Sequence, residues 1–254
     1  MTDRIEYQVF GDDLQSVEII LDPQEVVRAE AGTMLYMEKG IKMQTGTGGG
    51  IFKGVKRMIT GESFFITAFI NQSADVKRVA FAAPYPGKII TLDLGELGGS
   101  FITQRDSFLC AARDTEIEIA FSKKLGAGLF GGEGFILQKL VGDGLAFAHA
   151  GGTMIEKNLQ PGEILSVDTG CLVAMAPSID YDIEFIGGFS NALFGGEGIF
   201  LAKLTGPGKV FLQSLPLSRL ADRISAATQK PSQGEQKGAA GVGGDLLGDI
   251  ISGL

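Results

Sequence analysis

The side chains best able to do chemistry in this sequence are few, and most stand beside glycine. Residues 46 to 58 read Gly46-Thr47-Gly48-Gly49-Gly50-Ile51-Phe52-Lys53-Gly54-Val55-Lys56-Arg57-Met58. A glycine loop exposes backbone N–H donors, and neighbouring cations complete a cradle for an anion. Gly48, Gly49, Gly50, Lys53, Lys56 and Arg57 are therefore the candidate ligand site, with a solvated charged face as the plainer reading. Cys110 and His149, the only histidine, would supply a thiol nucleophile and its base. Glu133 and Glu197 occupy equivalent places in a repeated motif and suggest a carboxylate pair. Gly126 to Gly131 spell GxGxxG, the outline of a dinucleotide loop.

Each of these has a structural explanation once the repeated motif is laid out. It reads LFGGEGFILQKLVGDG from Leu129 to Gly144 and LFGGEGIFLAKLTGPG from Leu193 to Gly208, at a constant offset of 64 (193 − 129), with eleven of sixteen positions identical. The protein is built from copies. At that offset His149 falls on Gln213, which makes it a polar strand position, and one histidine makes no ordinary metal site. Glu133 and Glu197 more plainly accept N–H bonds from their own loops, Gly131, Gly132 and Gly134 in one copy and Gly195, Gly196 and Gly198 in the other. A dinucleotide loop needs a helix at its third glycine, and Gly142 and Gly144 cut that helix short. No catalytic residue, metal site or cofactor is assigned.

The elements that carry the motif read as strands. Phe135 to Leu140 and Ile199 to Leu204 are apolar, strand-length runs closed by Gly-x-Gly turns, so each copy is expected to hold a hairpin. Before the motif, Ile117, Ile119 and Phe121 alternate with Glu116 and Glu118, and Tyr181, Ile183 and Phe185 alternate with Asp180, Asp182 and Glu184: one face for the core, one for water. Residues 4 to 21 read as two strands about Gly11-Asp12-Asp13. A third, more divergent copy begins at Asp22-Pro23-Gln24-Glu25, which lies over Gln160-Pro161-Gly162-Glu163 at an offset of 138 (160 − 22). The expected layout is one all-β repeat domain over 1–222, with copies at about 22–100, 101–163 and 164–216. A short helix from Arg219 to Ala227 should pack Leu220, Ala221 and Ile224 on the body. A glycine-rich linker and the apolar segment DLLGDIISGL follow within 223–254.

Composition narrows the partners. Thirty-eight glycines and no tryptophan in 254 residues suit many short strands joined by turns. A net charge of −8 argues against nucleic acid. No run is apolar for long enough to span a bilayer, which leaves peripheral membrane contact, and no secretory signal opens the chain. Cys110 and Cys171 fall at non-equivalent copy positions, so a cytoplasmic, reducing setting without a disulfide is expected.

The repeated unit, Thr60-Gly61-Glu62-Ser63-Phe64-Phe65, the doubled LFGGEG and the tail ending in DLLGDIISGL resemble the altered-inheritance-of-mitochondria (mitochondrial biogenesis) family, a family of unknown function, over roughly residues 4 to 222. The resemblance implies a fold like the tryptophan RNA-binding attenuator protein: a short double-stranded β-helix or β-sandwich with three pseudo-symmetric repeats. Fold kinship carries no function by itself. The expected function is a non-enzymatic scaffold or assembly protein, self-associating, that acts through protein–protein or membrane-associated contact. The alternative is a module for a small anion or other small ligand at the 46–57 loop.

Overall fold

The computed structural model describes residues 5–30, 32–45, 66–123, 134–186 and 199–228. Among them strands dominate, and α1 (Leu217–Thr228) is the one α-helix. The chain opens with β1 (Glu6–Phe10) and β2 (Ser16–Leu21), then runs through β3 (Val26–Glu30), β4 (Met34–Met37), β5 (Ile41–Thr45), β6 (Ile66–Asn71), β7 (Lys77–Ala82) and β8 (Gly87–Asp93). There follow β9 (Ser100–Gln104), β10 (Phe108–Ala112), β11 (Glu116–Lys123), β12 (Phe135–Val141), β13 (Leu145–Gly151) and β14 (Met154–Leu159). The last strands are β15 (Ile164–Asp168), β16 (Leu172–Met175), β17 (Asp180–Ile186), β18 (Ile199–Thr205) and β19 (Gly208–Gln213).

These strands form four sheets, ordered β1-β2-β7-β4, β5-β6-β3-β10-β13-β8, β11-β12-β9-β16-β19-β14 and β15-β18-β17. Adding six to each strand number of β5-β6-β3 gives β11-β12-β9, and adding six again gives β17-β18-β15. The same step turns β4-β7-β2 into β10-β13-β8 and then β16-β19-β14. Register irregularities recur at the matching place in each, between Met34 and Tyr36, Phe108 and Cys110, and Leu172 and Ala174.

Three apolar layers hold the sheets together. One lies between the first and second sheets (Val17, Ile19, Phe81 against Val27, Phe69, Phe147). One lies between the second and third (Val26, Ala68, Ala146 against Phe101, Leu140, Phe211). One lies between the third and fourth (Leu137, Met175, Val210 against Ile183, Ala202, Leu204). The two central sheets are therefore buried on both faces, which is why β6 and β13 are buried along their whole length and do not alternate in exposure. The outer sheets are buried on one face only: in β2, Val17, Ile19 and Leu21 are fully buried, while all of β4 is exposed.

Three expectations from sequence are revised. The Gly-x-Gly turns do not close hairpins: β12 pairs with β11 and β9, while β13 pairs with β10 and β8 in a different sheet. The turn is a corner between layers, held by the Gly142 N–H donating to the Gly99 carbonyl and the Leu94 N–H donating to the Gly144 carbonyl. The hairpins lie at the LFGGEG end, where β11 and β12 pair out to Lys123 opposite Phe135, and β17 and β18 out to Ile186 opposite Ile199. Alternation also fails at the end of β17, where Phe185 and Ile186 are both exposed and Phe185 rests on Phe200 with ring centroids 4.8 Å apart. In α1 two of the residues expected on a buried stripe, Ala221 and Ile224, are exposed, and Leu220 is half-buried.

Layer crossings demand bare backbone. A Cβ at Gly151 would strike the Leu215 carbonyl oxygen and come within 3.0 Å of the Tyr85 ring. Gly151→Ala should therefore destabilise the fold by about 2–3 kcal/mol. Gly162→Ala, at φ +78° with nothing within 4 Å of the new methyl, should cost only the left-handed backbone term of about 1 kcal/mol. Urea midpoints for the two variants measure the difference.

Candidate functional site

The sequence-derived ligand residues Gly48, Gly49, Gly50, Lys53, Lys56 and Arg57 lie outside the described residues, as do Gly131, Gly132, Glu133, Gly195, Gly196, Glu197 and Gly198. Gly134 is described. It is buried at the head of β12 and takes φ +85°, a conformation that favours glycine.

Cys110 and His149 do not make a catalytic couple. Cys110 is fully buried in β10, where lack of solvent pushes its thiol well above the usual value, the reverse of what a thiolate nucleophile needs. His149, in β13, is 1 % exposed and burial lowers its pKa from 6.5 to about 4, so it is neutral at physiological pH. Its ring meets Tyr85 edge-on, with centroids 4.6 Å apart. Its counterpart Gln213 is used differently: the Gly151 N–H donates to Oε1 at 2.7 Å, and Nε2 donates to the Gly170 carbonyl at 2.8 Å. Cys110 and Cys171 are not joined in a disulfide, and among the described residues no cluster of His, Cys, Asp or Glu could hold a metal ion.

Two polar places remain. Thr103 and Gln138 are cross-strand partners, both fully buried, and strand alternation puts them on the face of the third sheet that carries Phe101 and Leu140. The Thr103 hydroxyl and both amide atoms of Gln138 have no hydrogen-bond partner among the described residues. Arg28, whose Nη1 donates to the Thr115 carbonyl at 3.2 Å, approaches the same layer from the second sheet, and burial lowers its pKa against the opposing charge of Asp114. The second place is a cleft of about 740 Å³ lined by Asp13, Gln15, Lys88, Ile89, Met154 and Ser214 among others. Its one cation, Lys88, is engaged with Asp13 Oδ1 at 3.2 Å and with the Asp12 carbonyl. Neither place brings a nucleophile together with a base.

The feature that sequence reading passed over is an edge. Met34, Leu35, Tyr36 and Met37 of β4 are 36, 58, 44 and 39 % exposed. The matching strands β10 and β16 are buried throughout. At the far end of the body, β15 is an edge with Ile164 57 % exposed. The signal was available: β4 is an uncharged Met-Leu-Tyr-Met run in the copy least like the others, and uncharged apolar edges are what soluble β proteins ordinarily avoid.

Fold and site thus define an all-β protein of stacked antiparallel sheets with an apolar edge strand, β4, exposed among the described residues. Residues 7–215 match the family described as mitochondrial biogenesis AIM24, and the chain belongs to that family. Its relatives include an uncharacterised protein of Streptococcus pyogenes serotype M6, 30 % identical over 216 residues, covering 82 % of this chain and 84 % of the relative. A crystal structure of a Streptococcus pyogenes protein is similar with a TM-score of 0.69 at 25 % identity, covering 88 % of this chain and all of that one.

Two measurements probe the interior. The unfolded imidazole of His149 titrates near 6.5 and the folded one at about 4. Between those values the unfolded state binds more protons, so stability present above pH 6.5 falls as pH drops toward 4, by on the order of 3 kcal/mol. His149→Gln, which installs the counterpart residue, should flatten that slope in urea titrations at pH 7 and pH 4.5. Gln138→Met should raise the unfolding free energy from the same urea titrations at both pH values by about 1 kcal/mol, because it removes buried amide atoms without partners among the described residues.

Proposed function

We propose that this chain is a non-enzymatic assembly module that works by protein–protein contact at its exposed strand edges. The observation that carries the reading is β4: four consecutive apolar side chains in water, at positions that are wholly buried in β10 and β16. Exposing such a run forfeits hydrophobic stabilisation, roughly 25 cal/mol per Å2 of apolar area, and invites strand addition. Soluble proteins keep such a surface where something covers it.

The finer architecture is part of the same reading. Six-strand periodicity in the sheets supports three related units of the kind found in the tryptophan RNA-binding attenuator protein. Two cysteines outside any disulfide fit a reducing, cytoplasmic setting. Among the described residues no helix is long and apolar enough to cross a membrane, so membrane contact, where it occurs through helices, would be peripheral. The alternative, an anion module at residues 46–57, rests on residues outside those described.

Leu35→Asp with Met37→Asp tests the reading. Both positions are exposed, so the isolated chain should keep its thermal midpoint within about 0.5 kcal/mol of stability per site. Natively purified full chain should lose its associated mass in sedimentation and mass spectrometry. A variant that keeps every association overturns the proposal.

A further inference from the structure

We infer that β4 of one copy pairs with β15 of a second copy, head to tail, in the register that already joins β3 to β10 and β9 to β16 inside the chain. This deepens the assembly reading by naming the partner, and it rests on that reading.

The inference comes from accounting for sheet edges. Among the described residues the four sheets present eight edge strands: β1, β4, β5, β8, β11, β14, β15 and β17. Three of them, β5, β11 and β17, correspond to one another at the six-strand step and are edges in every unit. β8 and β14 likewise correspond, and their relative β2 is covered by β1. Only β4 and β15 are edges whose counterparts are not: β10 and β16 correspond to β4 and lie inside sheets, as do β3 and β9, which correspond to β15.

The two internal junctions have one register. In the first, Cys110 faces Ala29 and Ala111 faces Arg28. In the second, Ala174 faces Thr103 and Met175 faces Ile102. The shared irregularity at Met34/Tyr36, Phe108/Cys110 and Leu172/Ala174 aligns Tyr36 with Cys110 and Ala174. Val167 aligns with Ala29 (167 − 138) and with Thr103 (167 − 64). The third junction therefore sets Tyr36 against Val167 and Met37 against Ser166.

One chain cannot make this junction with itself. β4 belongs to the first sheet and β15 to the fourth, and the apolar layers join first to second, second to third and third to fourth. Three layer spacings of about 10 Å separate strands that would have to come within about 4.8 Å. Two copies can: the fourth sheet of one and the first sheet of the next would merge as β17-β18-β15-β4-β7-β2-β1, seven strands continuing the pattern of the two six-stranded sheets.

Side-chain chemistry singles out the same pair of edges. Every edge that recurs carries charge along it: Lys42 in β5, Glu116 and Glu118 in β11, Asp182 and Glu184 in β17, Lys88 in β8, Glu156 and Lys157 in β14. Charges of this kind block strand addition. β4 has none, and β15 has only Asp168 at its end. A junction between unlike edges is heterologous, so each copy keeps one free end for the next, and the product is a closed ring or a filament rather than a two-fold dimer.

The test is disulfide trapping in full-length chain with Cys171→Ser. Met37→Cys and Ser166→Cys are made as separate single variants and mixed under mild oxidation, alongside Met37→Cys mixed with Ile164→Cys. The first mixture is expected to give an intermolecular crosslink at least tenfold above the second. The Met37→Cys/Ser166→Cys double variant is expected to give a ladder or ring of linked chains. Sedimentation of the uncrosslinked chain should show mass above one chain, lost in Leu35→Asp. A double variant that closes within one chain and runs as a monomer overturns the inference, as does equal trapping at Ile164. A chain that sediments as a monomer yet still captures another protein through β4 overturns self-pairing while leaving the assembly reading intact.

Discussion

Backbone hydrogen bonding at strand edges is the constraint on which the rest of this structure depends. A strand exposes donors and acceptors on both sides, and burying them unpaired costs too much. Sheets that stack on both faces must extend sideways until an edge can be left in water. Here β3 joins β10 and β9 joins β16, so each central sheet combines strands from well-separated parts of the chain. The apolar layers follow: because each shared sheet is covered on both faces, Val26 and Val27, adjacent in sequence, serve two different layers.

Sharing sheets has a consequence for the turns. The chain must leave one sheet and enter the next between consecutive strands, and it does so at glycine corners where carbonyl groups of another segment press on the backbone. At Gly151 and Gly87, related by 64 residues (151 − 87), an added Cβ meets a backbone carbonyl oxygen in each case, from Leu215 and Ala150. The repetition that is conspicuous as glycine motifs thus answers first to layer geometry. Where the copies differ, the differences are absorbed locally. Gln213 satisfies two backbone groups across a junction, whereas His149 fills the same place with a neutral ring against Tyr85.

Membership of the mitochondrial biogenesis AIM24 family comes with a streptococcal relative described only as uncharacterised, so functional weight falls on the surface. The interior polar groups at Thr103 and Gln138 are shut between sheets, and the Lys88 cleft has its cation occupied. What stands apart among the described residues is an apolar edge at one end of a stack and another weakly charged edge at the other.

Much of this was legible in residue order. The 64-residue offset, the strand-length apolar runs and the strands within residues 4–21 and 116–121 all follow from side-chain periodicity, a local property. So does the all-β class, since glycine turns and short apolar runs leave no room for long helices. Which strand pairs with which was not legible: Gly142 to Gly144 looks the same whether it folds a hairpin or turns a corner, and only the competing partners β11 and β8 decide. The fate of Phe185 and Ile224, apolar in pattern yet exposed, also depends on what other segments place opposite them. The Met34–Met37 edge became visible only in three dimensions, because its meaning lies in a neighbour that its two counterparts have and it lacks.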